Sequence, residues 1–122
     1  MPGALVDADV LIDALRGDTA VPERIDRAAE RRGRHLSVVT AAELRAGARG
    51  NDPAVARLLG DFRIVALTLP TAEHAGRLRR DFGPSHGTGL IDAILAATAL
   101  EQSLTLVTNN RRHFPMPGLV LA

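Results

Sequence analysis

The sequence contains no cysteine, lysine, tryptophan or tyrosine, and only three phenylalanines. The missing cysteine excludes disulfides and thiolate metal sites. The missing lysine excludes Schiff-base chemistry, a phosphate-loop lysine and the lysine that aspartyl-phosphate enzymes require. So few aromatic rings leave little on which splayed bases could stack, which argues against a nucleic-acid module of the aromatic-platform type. No apolar run nears membrane-spanning length and no stretch reads as a secretory signal, so the expected location is cytoplasmic, with no membrane partner.

What is present fits one domain over residues 1–122, long enough for a single core. All 15 basic residues are arginine, set against 14 acidic ones, for a net charge of +1. Arginine forks suit phosphate and carboxylate, so a polyanionic partner is compatible with the composition, as is a GC-rich coding sequence.

Apolar periodicity predicts alternating strands and helices. Ala4 to Val6 reads as a buried strand, followed by a helix over Val10 to Arg16 with Asp9 as N-cap and Gly17 as stop. An amphipathic helix is expected from Val21 to Arg32, ended by Gly33, and then a strand over Leu36 to Val39. Thr40 with Glu43 three residues later has the form of a capping box, which would start the next helix at Thr40. Further elements are a helix from Asp52 to about Leu59, a strand over Arg63 to Leu67 and a helix from Pro70 to about Asp81. The breaker-rich Phe82 to Gly89 reads as a surface loop, in which His86 is a lone, solvated histidine. Leu90 to Leu100 is apolar nearly all round and predicts a buried helix, Leu104 to Val107 a strand, and Leu119 to Leu121 a last short strand.

This order implies a three-layer α/β/α architecture, a central parallel sheet of four to five strands with helices on both faces. In such a sheet ligands gather outside the carboxyl ends of the strands. Asp7, Glu43, Asp92 and the pair Asn109 and Asn110 all fall on that rim. Each has an ordinary explanation alone: Asp7 as a second cap or a turn acid, Glu43 in its capping box, Asp92 as a cap of its own helix. Asp92 is also the one charge in an otherwise apolar helix, where an unpaired carboxylate would cost several kcal/mol. Three carboxylates brought close would repel unless a cation held them, and oxygen ligands without thiolate suit Mg²⁺ or Mn²⁺.

The blocks Val6-Asp7-Ala8-Asp9-Val10-Leu11-Ile12, Thr40-Ala41-Ala42-Glu43-Leu44, Asp92-Ala93-Ile94-Leu95-Ala96-Ala97-Thr98-Ala99 and Thr108-Asn109-Asn110 with His113-Phe114 stand in order along the chain. In this the sequence resembles PIN-domain endoribonucleases, in particular the VapC-like toxins of type II toxin–antitoxin pairs, over essentially its whole length. The resemblance implies a PIN-like fold and a metal-dependent RNase that cuts phosphodiesters through a Mg²⁺-activated water. It also implies an RNA substrate, a homodimer and a small cognate antitoxin that inhibits it. Asp7, Glu43 and Asp92 match the metal-binding acids, Asn110 a fourth position that is often Asp, and Thr108 a supporting hydroxyl, with Asp9 beside them. Arg111, Arg112 and Arg45 are candidates for RNA phosphates. Asn110 supplies one negative charge fewer for a second cation, so one held ion is preferred.

Asp7-Ala8-Asp9-Val10 after a strand also has the look of the nucleophile motif of haloacid-dehalogenase-like phosphatases, but the lysine those enzymes need is missing, as it is for a response-regulator receiver. A catalytically silent PIN-like protein that works by binding a partner is the alternative from another class.

Overall fold

A computed structural model describes residues 3–30 and 32–122. Four strands, β1 (Ala4–Val6), β2 (Arg34–Ser37), β3 (Arg63–Val65) and β4 (Thr105–Val107), form one parallel sheet in the order β3-β2-β1-β4. The central β1 aligns Leu5 with His35 on one side and with Leu106 on the other. Leu119 to Leu121 contributes only a single parallel bridge from Leu121 to Leu106, not a strand of its own.

Among the described residues six helices surround the sheet: α1 (Ala8–Leu15), α2 (Val21–Ala29), α3 (Val38–Ala46), α4 (Asp52–Leu59), α5 (Leu69–His86) and α6 (Leu90–Gln102). The period-two alternation of a strand sorts side chains between the two faces. Ala4 and Val6 join Val10, Leu11, Ile25, Leu44 and Val55 in one core, whereas Leu5 joins Leu95, Ala96, Leu106 and Phe114 in the other. The alanines of α6 bring α5 close, with Ala75 packed on Ala93 and Ala97. Among the described residues no helix is long and apolar enough to cross a membrane.

Several predicted boundaries shift, each for a local reason. The first helix starts at Ala8, because Asp7 is its N-cap: Asp7 has extended backbone and accepts from the Ala8 amide at 2.8 Å. Asp9 instead lies in the first turn, where its Oδ1 accepts from the Val10 amide at 2.8 Å. The second helix ends at Ala29, where Glu30 leaves the helical conformation with a positive φ of 46°, and Arg31 lies outside the described residues. The following strand is Arg34–Ser37, and Ser37 rather than Thr40 caps α3, its hydroxyl accepting from the Val39 amide at 3.1 Å. The capping box of Thr40 and Glu43 therefore does not form, and both residues sit inside the helix.

The expected loop over Phe82 to Gly89 is mostly helix. α5 carries Pro84 in its last turn and continues to His86, stopping at Gly87 in a left-handed conformation. Leu78 and Phe82, one turn apart, pack against the core around Leu95, and this tertiary anchoring holds the helix past the breaker residues. His86 is half-buried, within 2.7 Å of the Ser85 hydroxyl and edge-on to Phe82.

Candidate active site

All four strands point the same way, so the segments that leave their carboxyl ends meet at one edge. β1 delivers Asp7, β4 delivers Thr108, Asn109 and Asn110, α3 brings Glu43 and the first turn of α6 brings Asp92. Asp7 is 7% exposed, and both its oxygens are held: Oδ1 by the Ala8 amide and Oδ2 by the Thr108 hydroxyl at 2.8 Å. Asp92 does cap its own helix, its Oδ2 accepting from the Gly89 amide at 2.9 Å, and His113 Nδ1 stands 3.2 Å from the same oxygen. Glu43 differs from both, since its Oε1 is buried without a hydrogen-bond partner. Thr40, three residues earlier on the same helix, leaves its buried hydroxyl equally unpartnered.

These acids sense one another. Burial pushes the Asp7 carboxyl up to about 6, with the Asp9 carboxylate adding to the rise; the hydrogen bonds from Thr108 and Ala8 oppose it, and Asp92 contributes further. Burial also raises Glu43, and Asp92 and Asp9 raise it further. Four carboxylates from three helices and one strand end thus share one field. That field is costly to leave without positive charge.

Each residue of the β4 exit loop engages an acid of the α1 segment. Thr108 holds Asp7, Asn109 Nδ2 donates to Asp13 Oδ2 at 3.0 Å, and Asn110 Nδ2 donates to Asp9 Oδ2 at 3.1 Å. Thr108 Oγ1 also accepts from the Asn110 amide at 3.0 Å. Arg111 and Arg112 are exposed on the 3₁₀ turn Arg111–His113. Arg45 is ion-paired with Asp52 at 3.0 Å. Two participants were not picked out from the sequence. Arg24 of α2 reaches the exit loop across 85 residues, for which no sequence signal exists, whereas Asp13 could have been found as the residue one helical turn after Asp9.

An ion at this edge would meet hard oxygens only, and the unpartnered Glu43 oxygen together with the raised Asp7 and Glu43 fits a divalent cation. Among the described residues no three Asp, Glu or His groups form a closed ligand set. Mg²⁺ keeps several waters and takes one or two carboxylates directly, with substrate oxygens completing its shell. Beside the acids, a groove of about 310 Å³ runs along α1, α3 and α4, lined by Ile12, Leu15, Arg16, Glu43, Leu44 and Val55 among others.

Residues 4–117 match the PIN domain family. The chain is 43% identical over 114 residues to ribonuclease VapC10 of Mycobacterium tuberculosis, covering 92% of this chain and 86% of that protein. It is 37% identical over 120 residues to ribonuclease VapC19 of the same species, covering 92% of each. Among solved structures, a chain of a toxin–antitoxin complex from Klebsiella pneumoniae superposes with a TM-score of 0.81 at 28% identity, covering 97% of this chain and 96% of that one.

Proposed function

The chain belongs to the PIN-domain family, and from that membership we propose that it is an endoribonuclease dependent on Mg²⁺ or Mn²⁺, the toxin of a toxin–antitoxin pair. The observation that carries the metal dependence is Glu43: a buried carboxylate oxygen with no hydrogen-bond donor, in the field of Asp9 and Asp92, calls for a cation. Asp7, Glu43 and Asp92 would hold the ion, one or two of them directly and the rest through its waters. Once bound it would supply a water of lowered pKa and a counter-charge for the phosphoryl oxygens.

The chain's own groups set the rest. Thr108 and the Ala8 amide fix both oxygens of Asp7, and the Gly89 amide fixes one oxygen of Asp92, so the acids are oriented before any ligand arrives. Asn110 holds Asp9 by its amide and adds no charge, which favours one retained ion over two. Arg111 and Arg112 offer forked contacts to RNA phosphates on the flank of the site; Arg45 has one terminal nitrogen engaged by Asp52.

The antitoxin would lie in the groove along α1, α3 and α4, its apolar side chains on Ile12, Leu15 and Val55 and a basic side chain turned toward Glu43. We place the protein in the cytoplasm, as a single domain over residues 1–122 that pairs as a homodimer.

The test is cleavage of RNA by protein freed of antitoxin, with Mg²⁺ or Mn²⁺ and in excess EDTA. Cleavage should require the ion and be abolished by Asp92→Asn in protein that keeps its circular dichroism. Activity undiminished in EDTA would overturn the metal mechanism, and a soluble, ion-binding chain that cuts no RNA would favour the silent binder.

A further inference from the structure

Arg24 has an unusual set of partners. It projects from α2, half-buried, and its hydrogen bonds go to no Asp or Glu side chain. One terminal nitrogen donates to Asn109 Oδ1 at 2.6 Å, and the other to the Thr108 carbonyl at 2.8 Å and the main-chain oxygen of Ala122 at 3.4 Å. The two shorter of these contacts are to neutral acceptors in the loop that leaves β4. That loop is the one whose three side chains bind Asp7, Asp13 and Asp9. The fork fixes two points of it at once, a backbone carbonyl and the neighbouring side-chain amide, and so determines both its position and its twist.

We propose that Arg24 is a positioning residue of the acidic site: from a helix that carries none of the acids, its guanidinium clasps Thr108 and Asn109 and thereby sets the register in which Thr108 holds Asp7 and Asn110 holds Asp9. Ion affinity then depends on a side chain that touches neither ion nor RNA. With Asn109 Oδ1 occupied by Arg24, the Asn109 amide is turned toward Asp13, and the orientation of one asparagine links α2 to α1. Lysine has a single donor nitrogen where the guanidinium sets a separate one against each acceptor, so it would hold the pair less firmly. The inference rests on the metal-dependent reading of the site given above.

Two measurements on the full chain, wild type and Arg24→Gln and Arg24→Lys, test it. The first is amide hydrogen exchange without metal, which reports the clasp whatever the site does: exchange at Asn110, whose amide rests on Thr108 Oγ1, should speed up in Arg24→Gln. The second is calorimetric titration with Mn²⁺, where Arg24→Gln should bind about tenfold more weakly and Arg24→Lys should fall between. Excess Mn²⁺ should restore the turnover of Arg24→Gln without a change in KM for RNA. Unchanged Asn110 exchange would overturn the clasp. Faster exchange with wild-type Mn²⁺ affinity would overturn the coupling, and a raised KM with unchanged affinity would make Arg24 an RNA contact instead. A wild type that binds no Mn²⁺ would overturn the reading of the site and the coupling that rests on it, with the exchange result still deciding the clasp by itself.

Discussion

Thr108 Oγ1 donates to Asp7 Oδ2 at 2.8 Å while accepting from the Asn110 amide at 3.0 Å, so a single hydroxyl joins the ends of β1 and β4 and begins the turn beyond. Both residues are buried. The bond lies between neighbouring parallel strands, just past the point where Val6 pairs with Val107. It is one of two hydrogen bonds that hold Asp7 down against burial and its acidic neighbours.

Thr108→Val keeps the shape and removes the hydroxyl. Asp7 should then titrate above about 6 in metal-free protein, because a contact that lowers it is gone. Stability at neutral pH should fall by about 1–3 kcal/mol, the usual cost of leaving a buried polar group unpaired. Carboxyl chemical shifts through a pH series and chemical denaturation would check the two; an unmoved Asp7 would show that the hydroxyl does not act on it.

Asp7→Asn should stabilise the metal-free protein in a pH-dependent way. The folded Asp7 titrates near 6, above its ordinary 3.8, so the folded state holds a proton that the unfolded state has lost between those values. Wild-type stability from this group therefore declines as pH rises from about 4 to 6 and is level above. The advantage of Asp7→Asn should grow over the same window, toward about 3 kcal/mol at most. Cleavage should be abolished at every pH. Melts in EDTA from pH 4 to 8 give the first result; a variant that unfolds at all pH values would mean that capping α1 is the residue's main work.

Glu43→Gln preserves size and helix propensity, and α3 is capped by Ser37 rather than by this side chain. The metal-free protein should be as stable as wild type or more so, since a buried charge is removed. Cleavage should fall at least tenfold, about 1.4 kcal/mol of barrier. Activity within twofold of wild type would take Glu43 out of the site.

Asn110→Asp replaces an amide that now donates to Asp9 with a second carboxylate facing it. Without metal the variant should melt below wild type, and its melting temperature should climb more steeply with Mg²⁺. Affinity for Mg²⁺ should rise about tenfold, the added charge acting across a partly solvated edge. Calorimetry and melts over a Mg²⁺ series would show it; equal affinities and equal slopes would place residue 110 outside the ion's reach.

The clearest sequence signals were those that depend on near neighbours. Asp52-Pro53 opened α4 where it was expected, and the apolar length of α6 marked a buried helix. Signals that required a choice between two local partners went astray: Thr40 with Glu43 satisfied the capping pattern, but Ser37 lay nearer the end of the strand and took the cap. Pro84 stopped the predicted helix early because a sequence window contains no core for Leu78 and Phe82 to pack on.

By itself the sequence determined the strand–helix alternation, and with it the parallel sheet and the edge to which Asp7, Glu43, Asp92 and Asn110 would come. Backbone chirality and period-two burial leave little freedom once the pattern is written. Only the tertiary structure decided what each acid meets there. Arg24 lies on Asn109 and Thr108, Asn110 turns to Asp9, and Glu43 is left with an oxygen that nothing among the described residues satisfies. Such pairings join residues as far as 101 apart, and their geometry comes from how helices settle on the sheet, a consequence of packing two whole cores that no local pattern encodes.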